Sequence, residues 1–193
     1  IKKGQILIDG IDIKKIKLSS LRSQIGQMLQ DVFLFSGTIA DNIRLNDETI
    51  TDEEIIKACV EVNAIHFINK QPDGIYAKVG ERGNNLSLGE RQLISFARVL
   101  VHKPKLMILD EATSNIDTET ETLIQDTLEK VIKSNTMIMV AHRLSTIQHA
   151  TKIFVFDKGR IIESGSHQEL LKKRGRYYQL YKLQYQQNPF LDE

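Results

Sequence analysis

Two short apolar runs, separated by a stretch with helical periodicity, most constrain the fold of this chain. The runs are KLMILD at residues 105–110 and TMIMVA at 136–141, and TETETLIQDTLEKVIK lies between them. A short continuous apolar run is typical of a parallel strand that is buried on both faces. Strand, helix and strand in this order form a βαβ unit, so the pattern predicts an α/β fold with a parallel sheet.

Turn and helix signals predict further elements around this unit. Asp9-Gly10, inside the alternating stretch GQILIDGIDI, and Lys158-Gly159 each predict the turn of a β-hairpin. LSSLRSQ predicts a short helix, and IGQML predicts a strand that ends at Gln30. Two helical stretches are expected at the C-terminus.

A helical region is predicted from Thr38 to about Lys70. Thr51 and Glu54 fit a capping box at the start of TDEEIIKACVEVNAIHFI. The apolar positions that recur near helical spacing are Ile55, Ile56, Cys59, Val62 and Ile65.

A loop is predicted from Gln71 to Asn85, because this stretch is rich in proline and glycine. The helix expected after LSLGERQ ends before Pro104. Its apolar face is Leu93, Phe96, Ala97, Leu100 and Val101.

Charge and cysteine content exclude several classes of protein. Lys and Arg total 26 and Asp and Glu total 25, so the net charge of +1 does not favour nucleic acid or an anionic membrane. A single cysteine, Cys59, excludes an internal disulfide and a cysteine-rich metal site. The basic run KKRGR at 172–176 is therefore expected to be a solvated helix face, and no nucleic-acid partner is expected.

Three polar residues follow the two apolar runs at the points where the predicted strands end. Asp110 and Glu111 follow the first run, and His142 follows the second. Taken singly, they fit helix caps, ion pairs or a core histidine. However, ligands of open α/β sheets bind at the carboxyl ends of strands. An aspartate in this place can hold Mg²⁺, and the neighbouring glutamate can orient or deprotonate a water.

Five segments resemble the nucleotide-binding domain of ATP-binding cassette (ABC) transporters, in the family's order. They are MLQDVFLF with the Q-loop glutamine Gln30, the signature LSLGERQ, the Walker B strand LMILDEAT, the D-loop SNID and the switch segment AHRLST. A sixth segment, VGERG at 79–83, resembles the loop before the signature that marks exporters. The resemblance extends over nearly the whole chain.

The resemblance implies a P-loop NTPase-like ABC ATPase core with a small antiparallel β subdomain and an α-helical subdomain. Residues 1–193 would then form a single domain. Its core parts would be 1–30 and 104–166, its helical subdomain 31–103, and its C-terminal helices 167–193.

The resemblance also implies a role for each matched residue. Catalysis would use Glu111 on the attacking water, His142 on the γ-phosphate and the water, and Gln30. Mg²⁺ would be held by Asp110 and Gln30. The residues implied in binding ATP are Ser87, Gly89, Glu90, Ser114 and Asp117.

Two partners are implied. ATP would lie between this domain and a second nucleotide-binding domain, which is either an identical or a different chain. The transmembrane domain of the transporter would face residues of about 31–85, which places the chain at the cytoplasmic face of the cell membrane. The transported substrate is set by that membrane region.

The stretch LSLGERQ supports two interpretations. Ser87 and Glu90 fit the capping box S-x-x-E, and Gly89 lets a phosphate approach the first turn of the helix. Leu88 and Glu90 depart from the family's LSGGQ. Glu90 either folds back onto the cap N–H, which partly masks its charge, or faces the nucleotide and weakens the opposite site.

The phosphate-binding P-loop, G-x-x-x-x-G-K-[ST], is absent, since none of the 11 glycines is followed by lysine. In the family this loop lies just upstream of the segment matching GQILIDG, so we expect a truncation there and expect the chain alone to bind ATP poorly and to be inactive. The leading hypothesis is the ATP-hydrolysing domain of an exporter. The alternatives are a soluble ABC ATPase acting on DNA or ribosomes, and a non-catalytic fragment.

Overall fold

The chain divides into two compact units. The computed structural model describes residues 3–29, 32–110, 122–124, 126–128, 131, 136–140 and 144–186. The first unit is Ile1–Val140 and the second is Ala141–Glu193.

The first unit begins with the hairpin predicted at Asp9-Gly10. Strand β1 (Leu7–Ile8) pairs antiparallel with β2 (Ile11–Asp12). Asp9 and Gly10 both have positive φ, at 48° and 79°, as a two-residue hairpin turn requires. The predicted short helix follows as α1 (Leu18–Arg22), and the predicted strand follows as β3 (Ile25–Met28).

A helical region follows, as predicted, but it contains a strand pair that the sequence analysis missed. Strand β4 (Gly37–Thr38) leads into α2 (Ile39–Arg44). Next come α3 (Asp52–Glu61) and α4 (Ile65–Ile68). The stretch predicted as loop includes β5 (Lys78–Val79), which pairs antiparallel with β4.

Capping boxes begin α2 and α3. Thr38 and Asp41 form the first, and Thr51 and Glu54 form the second, as predicted. Of the expected apolar face of α3, the side chains of Ile55, Cys59 and Val62 are fully buried, and burial raises the pKa of the Cys59 thiol to about 12.

Ile56 was wrongly placed on that face, because it is 41% exposed. Neighbouring positions on a helix are turned by about 100° from each other, so Ile56 is carried away from the face that holds Ile55.

The longest helix, α5 (Leu88–Val101), packs against α2, α3 and β3. Leu93, Phe96, Ala97 and Val101 are buried as predicted, and Leu100 is partly buried. Lys103, with φ of 50°, redirects the chain before Pro104.

A three-stranded parallel sheet confirms the predicted α/β class. Strand β6 (Leu106–Asp110) lies between β3 and β7 (Thr136–Val140) and is parallel to both. The described residues among 122–131 are helical, so the strand–helix–strand order is as predicted.

Strand β7 differs from the prediction that both strands of the βαβ unit are buried. Ile138 is 53% exposed and Val140 is 54% exposed. The exposed positions alternate along β7, so one face of this strand has no cover among the described residues, where β7 pairs only with β6. An apolar run alone does not show whether other elements cover both faces of the strand.

The second unit contains the predicted second hairpin and the two C-terminal helices. A short helix, α6 (Leu144–Ile147), precedes β8 (Ile153–Asp157) and β9 (Arg160–Gly165), which are antiparallel. Lys158 and Gly159 form the turn, with φ of 46° and 75°.

Helices α7 (His167–Lys173) and α8 (Arg176–Gln186) complete this unit. Its core is Ile153, Val155, Leu170 and Tyr177. The carboxylate of Glu163 on β9 accepts from the backbone N–H groups of Arg176 (2.5 Å) and Tyr177 (3.0 Å), the first two residues of α8.

None of the helices in the described part of the chain has the length and apolar character needed to cross a membrane.

Gly26→Ala is expected to destabilise the first unit by about 1–3 kcal/mol, since overpacking a tight core costs about that much. A Cβ on Gly26 would lie 2.5 Å from Cγ1 of Val99 and 2.8 Å from Cγ of Pro104. The free energy of unfolding from urea denaturation measures this. Adding Val99→Ala should relieve part of the loss, and a Gly26→Ala variant as stable as the parent would contradict the close packing.

Stability of the second unit is expected to fall below about pH 6.5 because of His167. Burial, together with the charge of His149, lowers the pKa of His167 from its ordinary value of 6.5. The unfolded chain therefore binds a proton at a higher pH than the folded chain. The stabilisation is complete above the unfolded pKa and is lost as the pH falls through that value towards the folded pKa.

Urea unfolding of the parent and of His167→Gln between about pH 7.5 and pH 5 tests this prediction, since the variant removes the titrating group. The parent should lose stability more steeply than the variant. Parallel profiles would show that His167 does not contribute.

Candidate functional site

The first turn of α5 carries the capping box predicted from Ser87 and Glu90. The backbone N–H of Glu90 donates to Oγ of Ser87 at 3.2 Å, and the backbone N–H of Ser87 donates to Oε2 of Glu90 at 2.8 Å. Each residue thus satisfies a backbone donor of the other. The helix begins at a fixed position as a result.

The carboxylate of Glu90 is folded back onto the cap, so the structure has the first of the two orientations considered for it. Neither the capping box nor the helical hydrogen bonds use the N–H groups of Leu88 and Gly89, which remain as donors at this turn. Ser87 is exposed, Leu88 is half-buried and Gly89 is buried. A ligand that reaches this turn from solvent therefore meets Ser87 and Leu88 first.

The loop before α5 is held in place by Arg91, a residue that the sequence analysis did not select. Nη1 of Arg91 donates to the carbonyl oxygens of Leu86 at 2.7 Å and Gly83 at 3.4 Å. Gly83 has φ of 69°, and a Cβ there would lie 2.9 Å from Cδ of Arg91. A glycine is therefore required for the arginine to lie against this loop.

Asn85 closes the same loop on itself. Its Oδ1 accepts from the N–H of Gly80 at 2.8 Å, and its Nδ2 donates to the carbonyl of Lys78 at 2.9 Å. The segment VGERG is thus held next to the start of α5 by the side chains of Asn85 and Arg91. The only sequence signal for this was an amide and an arginine next to a glycine-rich loop.

Asp110 lies at the carboxyl end of β6, the central strand of the parallel sheet, and its side chain is exposed. The register pairs Met28 with Leu109, so β3 ends at the same edge of the sheet. Gln30 follows β3 by two residues in the sequence and lies outside the described residues.

The remaining predicted site residues also lie outside the described part of the chain. They are Glu111, Ser114, Asp117 and His142.

The carboxylate of Asp110 is a type of ligand that Mg²⁺ prefers. Among the described residues, no group of three or more His, Cys, Asp or Glu side chains could hold a metal ion. Mg²⁺ typically binds through one or two carboxylates and completes its shell with phosphate oxygens and water. An exposed carboxylate at the end of a central strand meets that requirement.

Known proteins match most of this chain. The family model described as ABC transporter matches residues 1–114. A probable multidrug resistance ABC transporter ATP-binding/permease protein of Bacillus subtilis, YheH, is 52% identical over 183 residues, which cover 95% of this chain and 27% of that protein. A putative multidrug export ATP-binding/permease protein of Staphylococcus aureus is 49% identical over 184 residues, which cover 95% of this chain and 32% of that protein.

A solved structure resembles the fold as well. The structure of a bacterial Atm1-family ABC exporter with ATP bound matches with a TM-score of 0.85 at 41% sequence identity, over 94% of this chain and 32% of that one. This similarity confirms the expected ABC ATPase fold. The chain spans between 27% and 32% of the length of these relatives.

Glu90→Gln is expected to change ATP hydrolysis by the full-length protein less than about twofold, since glutamine also serves at this position of a capping box. Because the carboxylate is already turned to the cap, removing its charge should not alter a ligand at the turn. Ser87→Ala is the contrasting variant. It should lower the free energy of unfolding by about 0.5–2 kcal/mol, because the cap is lost. A severalfold rise in ATPase activity in Glu90→Gln would place the carboxylate at the nucleotide.

Proposed function

This chain belongs to the ABC transporter family, and we propose that it is the ATP-binding and ATP-hydrolysing domain of an exporter. Domains of this family are generally ATPases. The observation that carries the proposal is the exposed carboxylate of Asp110 at the end of the central parallel strand β6. Ligands of open α/β sheets bind at this edge.

The first turn of α5 supplies the second part of the proposed site. Its capped position and its unused N–H groups at Leu88 and Gly89 suit a phosphate group. Ser87 is exposed and its Oγ is oriented by the cap. We propose that Ser87 and Gly89 contact ATP held by a second nucleotide-binding domain, that Glu90 belongs to this binding turn through its cap and not through its charge, and that Ser114 and Asp117 lie at the boundary between the two domains.

Hydrolysis in this proposal depends on four side chains. Asp110 and Gln30 would hold Mg²⁺, and the ion would supply positive charge near the phosphate oxygens. A carboxylate oxygen of Glu111 accepts a proton from the attacking water, and Gln30 orients that water. His142 donates a hydrogen bond to the γ-phosphate.

The rest of the machinery is proposed to lie in a longer polypeptide. No glycine of this chain is followed by lysine, so the phosphate-binding loop comes from elsewhere. Relatives named as ATP-binding/permease proteins are about three times as long. A transmembrane domain is therefore the proposed partner, with this chain at the cytoplasmic face of the membrane and no nucleic acid involved.

Within that polypeptide we propose one nucleotide-binding domain in three parts. Residues 1–30 and 104–166 belong to the ATPase core, residues 31–103 form the helical subdomain, and residues 167–193 form the C-terminal helices.

Glu111→Gln in the full-length transporter is expected to lower steady-state ATP turnover by about 10²–10⁴, the usual contribution of a general base. Phosphate release in the presence of ATP and Mg²⁺ measures this. The matched control is Glu61→Gln, an equal change at an exposed residue that ends α3, and it should leave the rate unchanged. Unchanged hydrolysis in Glu111→Gln would refute the assignment.

A further inference from the structure

Asn42 organises the segment that follows the Q-loop. Its side chain is 1% exposed. Oδ1 accepts from the N–H of Phe35 at 2.8 Å, and Nδ2 donates to the carbonyls of Phe35 (2.8 Å) and Thr38 (3.0 Å). One buried amide therefore fixes three backbone groups of residues 35–38.

Arg98 on α5 joins this segment from the other side. Nε donates to the backbone carbonyl of Asn42 at 2.7 Å, and Nη2 donates to its Oδ1 at 3.1 Å. Nη1 donates to the carbonyl of Phe33 at 3.0 Å. The guanidinium thus links α5 to the chain at two positions nine residues apart.

The partners of Arg98 are unusual for a largely buried cation. Burial lowers the pKa of Arg98, and neither of the two ion pairs in the described part of the chain includes it. Burying a charge that has no carboxylate partner costs free energy. The well-directed hydrogen bonds of the planar guanidinium must therefore offset this cost. Arg98 uses a donor on each of its three guanidinium nitrogens, and the single nitrogen of an ammonium cannot reach all three acceptors from the same position.

The segment held by these two residues presents a pair of exposed aromatic rings. Phe33 is 50% exposed and Phe35 is 56% exposed, whereas Leu34 between them is fully buried. The two rings pack edge to face, with centroids 5.0 Å apart. Their positions follow Gln30 by three and five residues, so the pair lies directly after the proposed Q-loop.

Helix α5 connects this aromatic pair with the proposed nucleotide contact. Ser87 caps its first residue, and Arg98 lies eleven residues later, about 16 Å along the axis at 1.5 Å per residue. No proline interrupts the helix, and most of its residues are buried. A displacement at one end is therefore carried to the other end as a rigid movement.

We propose that Arg98 and Asn42 are positioning residues that tie the Phe33–Phe35 pair to α5, so that nucleotide contact at Ser87 changes the placement of this aromatic pair. The inference rests on the proposed function. In this proposal the hydrogen bonds of Arg98 and Asn42, and not general packing, connect the nucleotide with the surface after the Q-loop.

Hydrogen–deuterium exchange of the full-length transporter tests this, in a Glu111→Gln background that retains bound ATP and Mg²⁺. One peptide covers residues 87–91, and another covers 33–38 and includes the Phe35 N–H that Asn42 holds. In the parent, which is the Glu111→Gln protein without a further substitution, ATP should change the exchange rate in both peptides. Arg98→Lys should keep the response at 87–91 and reduce the response at 33–38 at least about fivefold.

Two further variants make the result specific. Asn42→Asp keeps an acceptor for Phe35 and Arg98 but removes the donors to Phe35 and Thr38, so it should also reduce the response at 33–38. Arg22→Lys is the matched control. Arg22 lines the same cavity of about 410 Å³ as Arg98 and has none of its hydrogen bonds, so both responses should persist.

An unchanged response at 33–38 in Arg98→Lys would overturn the proposal. Faster exchange throughout β3 and β6 in both Arg98→Lys and Asn42→Asp would also overturn it, because it would show a role in folding alone. If ATP caused no change at 87–91 in the parent, the proposed function itself would be wrong.

Discussion

The close packing of α5 on β3 is the constraint on which the first unit depends. Gly26 on β3 leaves room for Val99 and Pro104, and any larger residue would push the helix away from the sheet. This contact holds the C-terminal end of α5 close to β3. Arg98 is the neighbour of Val99 in this helix, and the capped turn at Ser87 lies at the other end of it.

The elements that could be predicted are those whose signals are local. Asp9-Gly10 and Lys158-Gly159 adopt the positive φ values that tight hairpins require, and these are set by the residues themselves. Thr51 and Glu54 cap α3 because their side chains reach backbone groups only three residues away. Two of the parallel strands were predictable because short continuous apolar runs are typical of such strands, although β7 is less buried than its run implies.

The features that were missed depend on contacts between distant parts of the chain. Strands β4 and β5 have two residues each, too few for any periodicity, and they pair across about forty residues. The exposure of Ile138 depends on which neighbours β7 has, and not on its own residues. At the candidate site, the position of Ser87 and Asp110 followed from the sequence. The orientation of Glu90 and the roles of Arg91, Asn42 and Arg98 required the tertiary structure, because arginine and asparagine find partners without any repeating pattern.

The carboxylate of Glu163 makes the start of helix α8 depend on the β8–β9 hairpin. Helix α8 begins after Gly175, where an added side chain would collide with that carboxylate, and its first two N–H groups are satisfied from the hairpin. An isolated helix of eleven residues is marginal in water. The first turn of α8 is therefore stabilised only when β9 has formed. We expect the hairpin and the helix to form and open together as one cooperative unit.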